Sequence, residues 1–436
     1  MTHLPQLLKR TLPALCTVAF LSACVAPDGS AIIVADVASE AAPTARDKAE
    51  RSSPTRSKRG VSRAGVLTAG DIDDSLNFTA FQRYAQRAAQ QTGLARSALT
   101  GPVRVKLSRR DVPRRKVGYP PMRLHPGAGI RYTLRVPGAA EPFFSGFSGV
   151  DGNITVFPQF LGAKVGQKVE LRAFGSDGQL LKTTEVTRGA ARQEIMVGRT
   201  KPWEPDFLDL VFVIDTTGSM ADELAWVTKD LRRMVGQARR AAPGIDIRLG
   251  LVVYRDKGDA YVVRSFGFAG KPGPMKRLLS QQKAAGGGDY PEASDAALAS
   301  AVALPWRRGR GVRLIFHIAD APAHKRNADR YLAAAKTAAR KGIQVFGIGA
   351  SGVGPEAEYL MRQVALMTGG RYVFLTDDSG VGNSHAEPTV SCYRVTRLTD
   401  LIGRILASEV SGLRKEAKAG HVLRQVGSYA RGVCAN

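Results

Sequence analysis

From Asp206 onward the chain alternates between two hydrophobic periods. Runs of β-branched and bulky apolar residues without turn formers read as buried strands: 208–215, 247–254, 261–268, 312–319, 343–349 and 371–375. Between them the apolar positions step by three and four, as on one helical face. These stretches cover about 220–240, 272–283, 291–303, 326–341, 355–367 and 397–412. Alternating strand and helix predicts a mainly parallel sheet with crossover helices. Only Arg255 to Ala260 separates the second strand from the third, too little for a crossover, so these two form a hairpin. The expected fold class is α/β, a doubly wound, mainly parallel six-stranded sheet.

The upstream half has a different rhythm. VRVKLS, IRYTLRV, NITVFPQF, KVELRAF and QEIMV are short strand-like runs. Turns such as Asp151-Gly152 and Asp177-Gly178 separate them, which predicts a β-sandwich over 99–200. Before it, Leu67 to Asp74 is turn-rich, and Phe78, Phe81, Tyr84 and Ala85 mark a helical face. Residues 66–98 therefore read as a short helical segment. Asp71, Asp73 and Asp74 lack the Gly-and-Glu frame of a calcium loop and read better as helix caps. Lys201-Pro202-Trp203-Glu204-Pro205 is a stiff linker, and 413–436 is a C-terminal tail.

Charge and cysteine usage change the picture. The chain has 436 residues, enough for two or three domains, and a net charge of +25. Such a balance favours an acidic partner: nucleic acid, anionic lipid or an anionic polymer. Lys9 and Arg10 precede an apolar run from Thr11 to Leu21, a secretory signal too short to span a bilayer. Export removes nucleic acid from the choices. Leu21-Ser22-Ala23-Cys24 resembles the bacterial lipobox. That resemblance implies a lipoprotein signal peptide over 1–23, lipidation at Cys24 and a cell-envelope location. Val25 stands where an inner-membrane retention Asp is usual, which points to the outer membrane. Residues 24–65, rich in Ala, Ser, Pro, Arg and Lys, read as a disordered basic tether that anionic envelope surfaces attract. Cys16 leaves with the signal and Cys24 is spent on lipid. Cys392 and Cys434 remain, and two cysteines in an exported chain predict one disulfide.

The candidate chemistry lies at strand ends. The strand 208–215 stops at Asp215, and Thr216, Thr217, Gly218 and Ser219 turn the chain into a helix. Open α/β sheets bind ligands at such carboxyl ends. One carboxylate and two hydroxyls on alternate residues suit a hard cation such as Mg²⁺; capping the helix is the plainer use. Two further loops have the same placement: Gly286-Gly287-Gly288-Asp289-Tyr290-Pro291-Glu292-Ala293, and Asp320-Ala321-Pro322-Ala323-His324.

Asp215-x-Thr217-x-Ser219 resembles the first loop, Asp-x-Ser-x-Ser, of the metal-ion-dependent adhesion site in the von Willebrand factor type A family. The resemblance spans 205–412. It implies Mg²⁺, with Mn²⁺ or Ca²⁺ as substitutes, held by Asp215, Thr217, Ser219 and Asp320. The second loop departs from the family, which places a Thr there. Here it resembles a GGGD-x-PE branch, so Asp289 is placed at the ion. Glu292 is the alternative, with a capping role as its simpler reading, and Glu292 and His324 are candidates for the surrounding shell. Three carboxylates would lower the ion's pull on a partner's acid by charge balance. The stretch from Phe147 to Gly178 resembles a carboxypeptidase-regulatory-like sandwich, and LTAGDIDDSLNF resembles a segment preceding such domains in bacterial surface proteins. His317, inside a strand, reads as a core histidine. Asp377, Asp378, Asn383 and His385 read as a disulfide-tied loop, with a second site as the alternative.

These observations predict a lipid-anchored envelope protein that binds a protein partner through a metal-assisted face. The alternative is an architectural protein attached to the envelope through its charge, and salt against chelator separates the two. Enzymatic readings fare worse. Gly347, Gly349 and Gly352 fit G-x-G-x-x-G, but on the fifth strand and not the first. A metal-dependent hydrolase lacks His-x-x-x-His spacing, and Ser351 lacks a full nucleophile elbow.

Overall fold

The computed structural model describes residues 24–25, 31–32, 35–36, 66–94, 99–110, 124–164, 166, 168–288, 290–379 and 388–435. The expected signal over 1–23, most of the expected tether, and Asp289, Asn383 and His385 lie outside these residues. The first long elements are β1 (Thr68–Ile72) and α1 (Phe78–Thr92). Strands follow: β2 (Val103–Arg110), β3 (Leu124–Pro126), β4 (Arg131–Arg135), β5 (Phe144–Phe147), β6 (Asn153–Val156), β7 (Val169–Phe174), β8 (Leu180–Val186) and β9 (Gln193–Arg199). Then strand and helix alternate: β10 (Phe207–Asp215), α2 (Ala221–Ala241), β11 (Asp246–Tyr254), β12 (Val263–Ala269), α3 (Pro272–Gln281), α4 (Ser294–Ala303), β13 (Gly311–Ala319), α5 (Ala328–Arg340), β14 (Gln344–Gly349), α6 (Pro355–Thr368) and β15 (Tyr372–Thr376). The chain closes with β16 (Tyr393–Arg397), α7 (Leu398–Ser411) and β17 (Arg424–Val426).

β10 explains the layering. It is buried along its whole length. Side chains alternate across a strand, so Leu208, Leu210, Phe212 and Ile214 pack with α2, α3 and α7. Val211 and Val213 pack with α1, α4, α5 and α6 on the other face. The sheet is wider than the six strands expected. Its order is β17-β16-β1-β15-β14-β13-β10-β11-β12, with Ala35–Asp36 paired on the outer edge of β12. The five strands from β15 to β11 are parallel, and β12 is antiparallel to β11.

The N-terminal segment accounts for the extra width. Thr68–Ile72 is not a helix-capping turn: it is a strand, antiparallel to both β15 and β16. Each acid of this segment meets a guanidinium from far along the chain, and Asp73 Oδ1 also accepts from the N–H groups of Ser75 and Leu76 in the turn before α1. Asp71 pairs with Arg371 at 3.2 Å, Asp73 with Arg414 at 2.8 Å and Asp74 with Arg362 at 2.7 Å. Asp73 also accepts from the Ser75 hydroxyl.

The strands β2–β9 form two four-stranded sheets, β8-β7-β4-β5 and β9-β2-β3 with β6 on β2. Their inner residues share one core that includes Val105, Leu107, Leu134, Ile154 and Leu171. This unit is thus inserted in sequence between β1–α1 and the rest of the α/β sheet. It grips the end of α7. Trp203 Nε1 donates to the Glu409 carbonyl at 3.2 Å. Asp151, in a left-handed backbone conformation (φ 57°), donates its N–H to the Gly412 carbonyl at 2.9 Å and accepts from the Arg414 N–H at 3.1 Å.

The residues after α7 fold back onto the sheet. β17 pairs with β16, and Cys434 is bonded to Cys392 with a Cα–Cα distance of 5.4 Å. Asn77, at the start of α1, holds the same tail: it donates to the Gly432 carbonyl and accepts from the Cys434 N–H. Closing a loop of this length stabilises by about 4 kcal/mol in the chain-entropy model. Replacing both cysteines by Ser should therefore lower the urea midpoint by an amount corresponding to at most about 4 kcal/mol. A loss under about 1 kcal/mol would mean that Asn77 and β17 hold the tail without the bond.

Candidate functional site

The rim at the carboxyl ends of β10, β11 and β13 brings the predicted loops together. Asp215 ends β10 and is fully buried. Its Oδ1 accepts from the Thr217 N–H at 2.9 Å and the Thr217 hydroxyl at 2.8 Å. Thr217 Oγ1 and Ser219 Oγ lie 3.5 Å apart. Ser219 bonds in turn to the Asp320 carboxylate. First and third loops thus share a chain of oxygen groups. The turn is an ordinary one in backbone terms, with Gly218–Met220 forming a short 3₁₀ segment before α2.

Backbone hydrogen bonds tie the second loop to both others. The Gly218 N–H donates to the Gly286 carbonyl and the Ala285 N–H to the Thr216 carbonyl. The Glu292 N–H donates to the Pro322 carbonyl at 2.9 Å. Gly287 has φ 77°, and a Cβ there would come within 3.2 Å of the Thr217 Cβ. Glycine therefore permits this close approach.

The electrostatics are those of a crowded acidic pocket. Burial pushes the Asp215 carboxyl up to about 7, against the hydrogen bond from the Thr217 N–H, and the charges of Asp320 and Asp259 push the same way. Burial likewise raises Asp320, opposed by its bond from Ser219. Asp215 Oδ2 is buried and makes no hydrogen bond. A buried carboxylate oxygen without a partner is costly unless something positive meets it.

The other expected residues divide. Glu292 is buried and precedes α4, which starts at Ser294 and not near Pro291, so it is not a first-turn cap. Its Oε1 lies 3.4 Å from where a Cβ on Gly287 would stand, which puts it beside the glycine that packs on Thr217. His324 bonds through Nε2 to both oxygens of Asp256 at 2.9 Å. It therefore fixes the β11–β12 hairpin against the third loop. Asp378 pairs with Arg424 at 2.8 Å, so its carboxylate serves the tail. His317 is a core histidine: Nε2 meets the Tyr254 hydroxyl at 3.0 Å and Nδ1 the Tyr331 hydroxyl at 2.8 Å. Burial pulls it down to about 3, so it is neutral at physiological pH. The glycine fingerprint has a packing explanation. A Cβ on Gly347 would meet Met361, and one on Gly349 would meet the Tyr372 hydroxyl.

Two acids at the rim had no distinctive signal in the sequence. Glu223, in the first turn of α2, is buried, and its Oε1 accepts from the Ser351 N–H and hydroxyl at 3.1 and 2.8 Å. Burial raises its pKa, and Asp320 adds to the rise. The Met220-to-Leu224 step alone hints that Glu223 faces inward. Asp259 sits in the β11–β12 turn and accepts from the Gly287 N–H at 3.1 Å.

Among the described residues, no three His, Cys, Asp or Glu side chains gather closely enough to hold a metal by themselves. The set that fits a hard cation is two carboxylates and two hydroxyls, and the partnerless Asp215 Oδ2 is the atom that asks for one. Oxygen-only donors of this kind suit Mg²⁺ or Mn²⁺ better than zinc.

A doubly wound α/β sheet with three loops stitched at its carboxyl rim defines a class of domain. Residues 209–377 match the family model of the von Willebrand factor A domain, a domain that commonly mediates protein–protein interaction. A similar curated protein is alpha-protein kinase vwkA of Dictyostelium discoideum, 30% identical over 118 residues, which are 27% of this chain and 19% of that protein. This chain thus spans about a fifth of that relative's length. Among solved structures, the conserved hypothetical protein BatB from Bacteroides thetaiotaomicron aligns with a TM-score of 0.33 and 18% identity, over 47% of this chain and 97% of that one.

Proposed function

We propose that the α/β unit binds a protein partner through a divalent cation, in a lipid-anchored protein of the cell envelope, at the outer membrane. Asp215, Thr217, Ser219 and Asp320 would hold the ion, with Asp289 as a further ligand, and Mg²⁺ is the expected occupant. The observation that carries this reading is the buried Asp215 Oδ2 without a hydrogen bond, beside a second acid that raises its pKa. A hard cation would relieve both penalties at once. When bound, the ion supplies a positive centre at the rim. The chain's own groups orient it: the Thr217 N–H fixes one oxygen of Asp215, and Ser219 fixes Asp320. Cys24 would carry the lipid. No catalytic step is assigned to the site.

The test is direct. Mn²⁺ titrated into the chelator-treated protein should show one saturable site, and Asp215→Asn should abolish it. Asp289→Thr should weaken it; unchanged affinity removes Asp289 from the ligand set. Affinity capture from envelope extract should then yield a band that disappears with chelator and returns with Mg²⁺. Uptake of no metal by the wild-type protein sinks the proposal.

A further inference from the structure

The cations of the two helical faces meet different surroundings. On the face carrying α1, α4, α5 and α6 several are engaged, while Arg83, Arg87 and Arg326 are exposed there without an ion pair among the described residues. Lys325 donates to the Thr92 carbonyl, Arg340 to that of Leu161 and Lys341 to that of Val302. Arg330 pairs with Asp295, and Lys336 lies over the Phe160 ring. α1 and the two-sheet unit supply several of these partners.

The opposite face differs. On α2, Lys229, Arg232, Arg233, Arg239 and Arg240 are all exposed. At 3.6 residues per turn they fall on one side of the helix. Only Arg233 has an acid, Asp400 at 2.9 Å. The adjoining helix α3 adds exposed Lys276 and Arg277. Among the described residues, Lys229, Arg232, Arg239, Arg240, Lys276 and Arg277 form no ion pair. No large apolar side chain on α2 or α3 is among the exposed ones. The patch is therefore cationic, two helices wide, and without aromatic platforms.

We infer that the α2–α3 face docks electrostatically on an anionic phospholipid bilayer. Charge complementarity carries the argument: six unpaired cations side by side match a two-dimensional field of phosphates, and each cation near such a surface adds to the attraction. A single-stranded polymer is better served by a groove with stacking rings, which this face lacks. Chain geometry agrees. Ala35–Asp36 pairs with β12, and α3 begins directly after β12. Cys24 precedes Asp36 by 36 − 24 = 12 residues, a reach of at most about 40 Å. A lipid on Cys24 would thus enter the bilayer near this edge. That last point rests on the anchoring reading; the charge argument does not.

The experiment uses the chain with Cys24→Ser, so that no anchor contributes, and keeps chelator present throughout. Sedimentation is measured with vesicles of pure phosphatidylcholine and with vesicles containing about one-third phosphatidylglycerol. Binding should occur only to the anionic vesicles and should fall more than about tenfold between about 50 and 300 mM salt. Lys229→Glu, Arg232→Glu, Arg239→Glu and Arg240→Glu together should reduce it at least about tenfold. Lys182→Glu, Lys201→Glu, Arg326→Glu and Lys418→Glu together change the net charge equally, at exposed sites elsewhere, and should change it less than about threefold. Equal losses in the two variants would overturn the assignment, as net charge alone would explain them. Absence of vesicle binding, or binding only to polyphosphate, would overturn it too. If the α2 variant misfolds by circular dichroism, Lys276→Glu with Arg277→Glu tests the same face. Since metal is absent, failure here is separate from failure of the cation-dependent recognition.

Discussion

Arg362→Ala should destabilise the protein by about 3–5 kcal/mol, among the largest effects any single change in this chain will have. Arg362 is only 2% exposed. Its guanidinium makes a two-point bond to Asp74 at 2.7 and 2.9 Å, reaches Glu358 at 2.9 Å, and donates to the Thr389 carbonyl at 3.1 Å. It also lies over the Tyr84 ring, 3.7 Å from the centroid. Burial alone would pull its pKa down, but the Asp74 carboxylate more than offsets this, so the group stays charged. Removing it leaves Asp74 buried with no cation. The segment held by Asp74 is the β1–α1 entry into the α/β unit, so limited proteolysis should cut there first. Urea unfolding gives the magnitude. A second variant separates charge from packing: Arg362→Met with Asp74→Leu removes both members of the pair, and should be markedly more stable than Arg362→Ala. If the single change costs less than about 1 kcal/mol, the buried pair is not what fastens this segment.

The same segment shows where the sequence falls silent. The strands and helices from Phe207 to Thr376 follow from hydrophobic period, because each is buried on one or both faces by its immediate neighbours. Leu67 to Asp74 offered Gly70, Asp71, Asp73 and Asp74, which all suggest a turn. What makes Thr68–Ile72 a strand lies about 300 residues away. Phe374 and Tyr393 close over Gly70, where a Cβ would come within 2.6 Å of the Phe374 ring. Arg371 and Arg414 neutralise Asp71 and Asp73. No local pattern encodes partners at that distance. The rim is similar. Asp215, Thr217, Ser219 and Asp320 announce themselves by ending strands. Glu223 and Asp259 look like helix-start and turn acids, and only the folded positions of Ser351 and Gly287 show what they hold. The clustering of unpaired cations on α2 and α3 was likewise hidden inside a single net charge of +25.

The second large effect concerns metal and proton at Asp215. Apparent Mg²⁺ affinity should fall about tenfold for each pH unit below about 7, and be nearly flat above it, because one proton must leave before the carboxylate can bind. The sign follows from the pKa. In the metal-free fold Asp215 is pushed up to about 7 by burial and by Asp320, from an ordinary value of 3.8. Between those values the folded chain holds a proton that the unfolded chain has released. Metal-free stability therefore declines as pH rises through this window, by up to about 4 kcal/mol, and levels off above it. Glu409, also pushed up to about 7 by burial, adds a slope of the same sign. It lies at the α7 end and not at the rim, so the difference between melts with Mg²⁺ and with chelator cancels it. That difference should be small at pH 5, grow to about pH 7 and level off above it. Asp215→Asn should remove the difference at every pH and should also flatten the metal-free curve to the part owed to the other raised acids, Glu409, Asp320, Glu223 and Asp74. A stabilisation by Mg²⁺ that is independent of pH, or one that survives Asp215→Asn, would place the cation elsewhere and leave the unpaired oxygen of Asp215 without the role assigned to it.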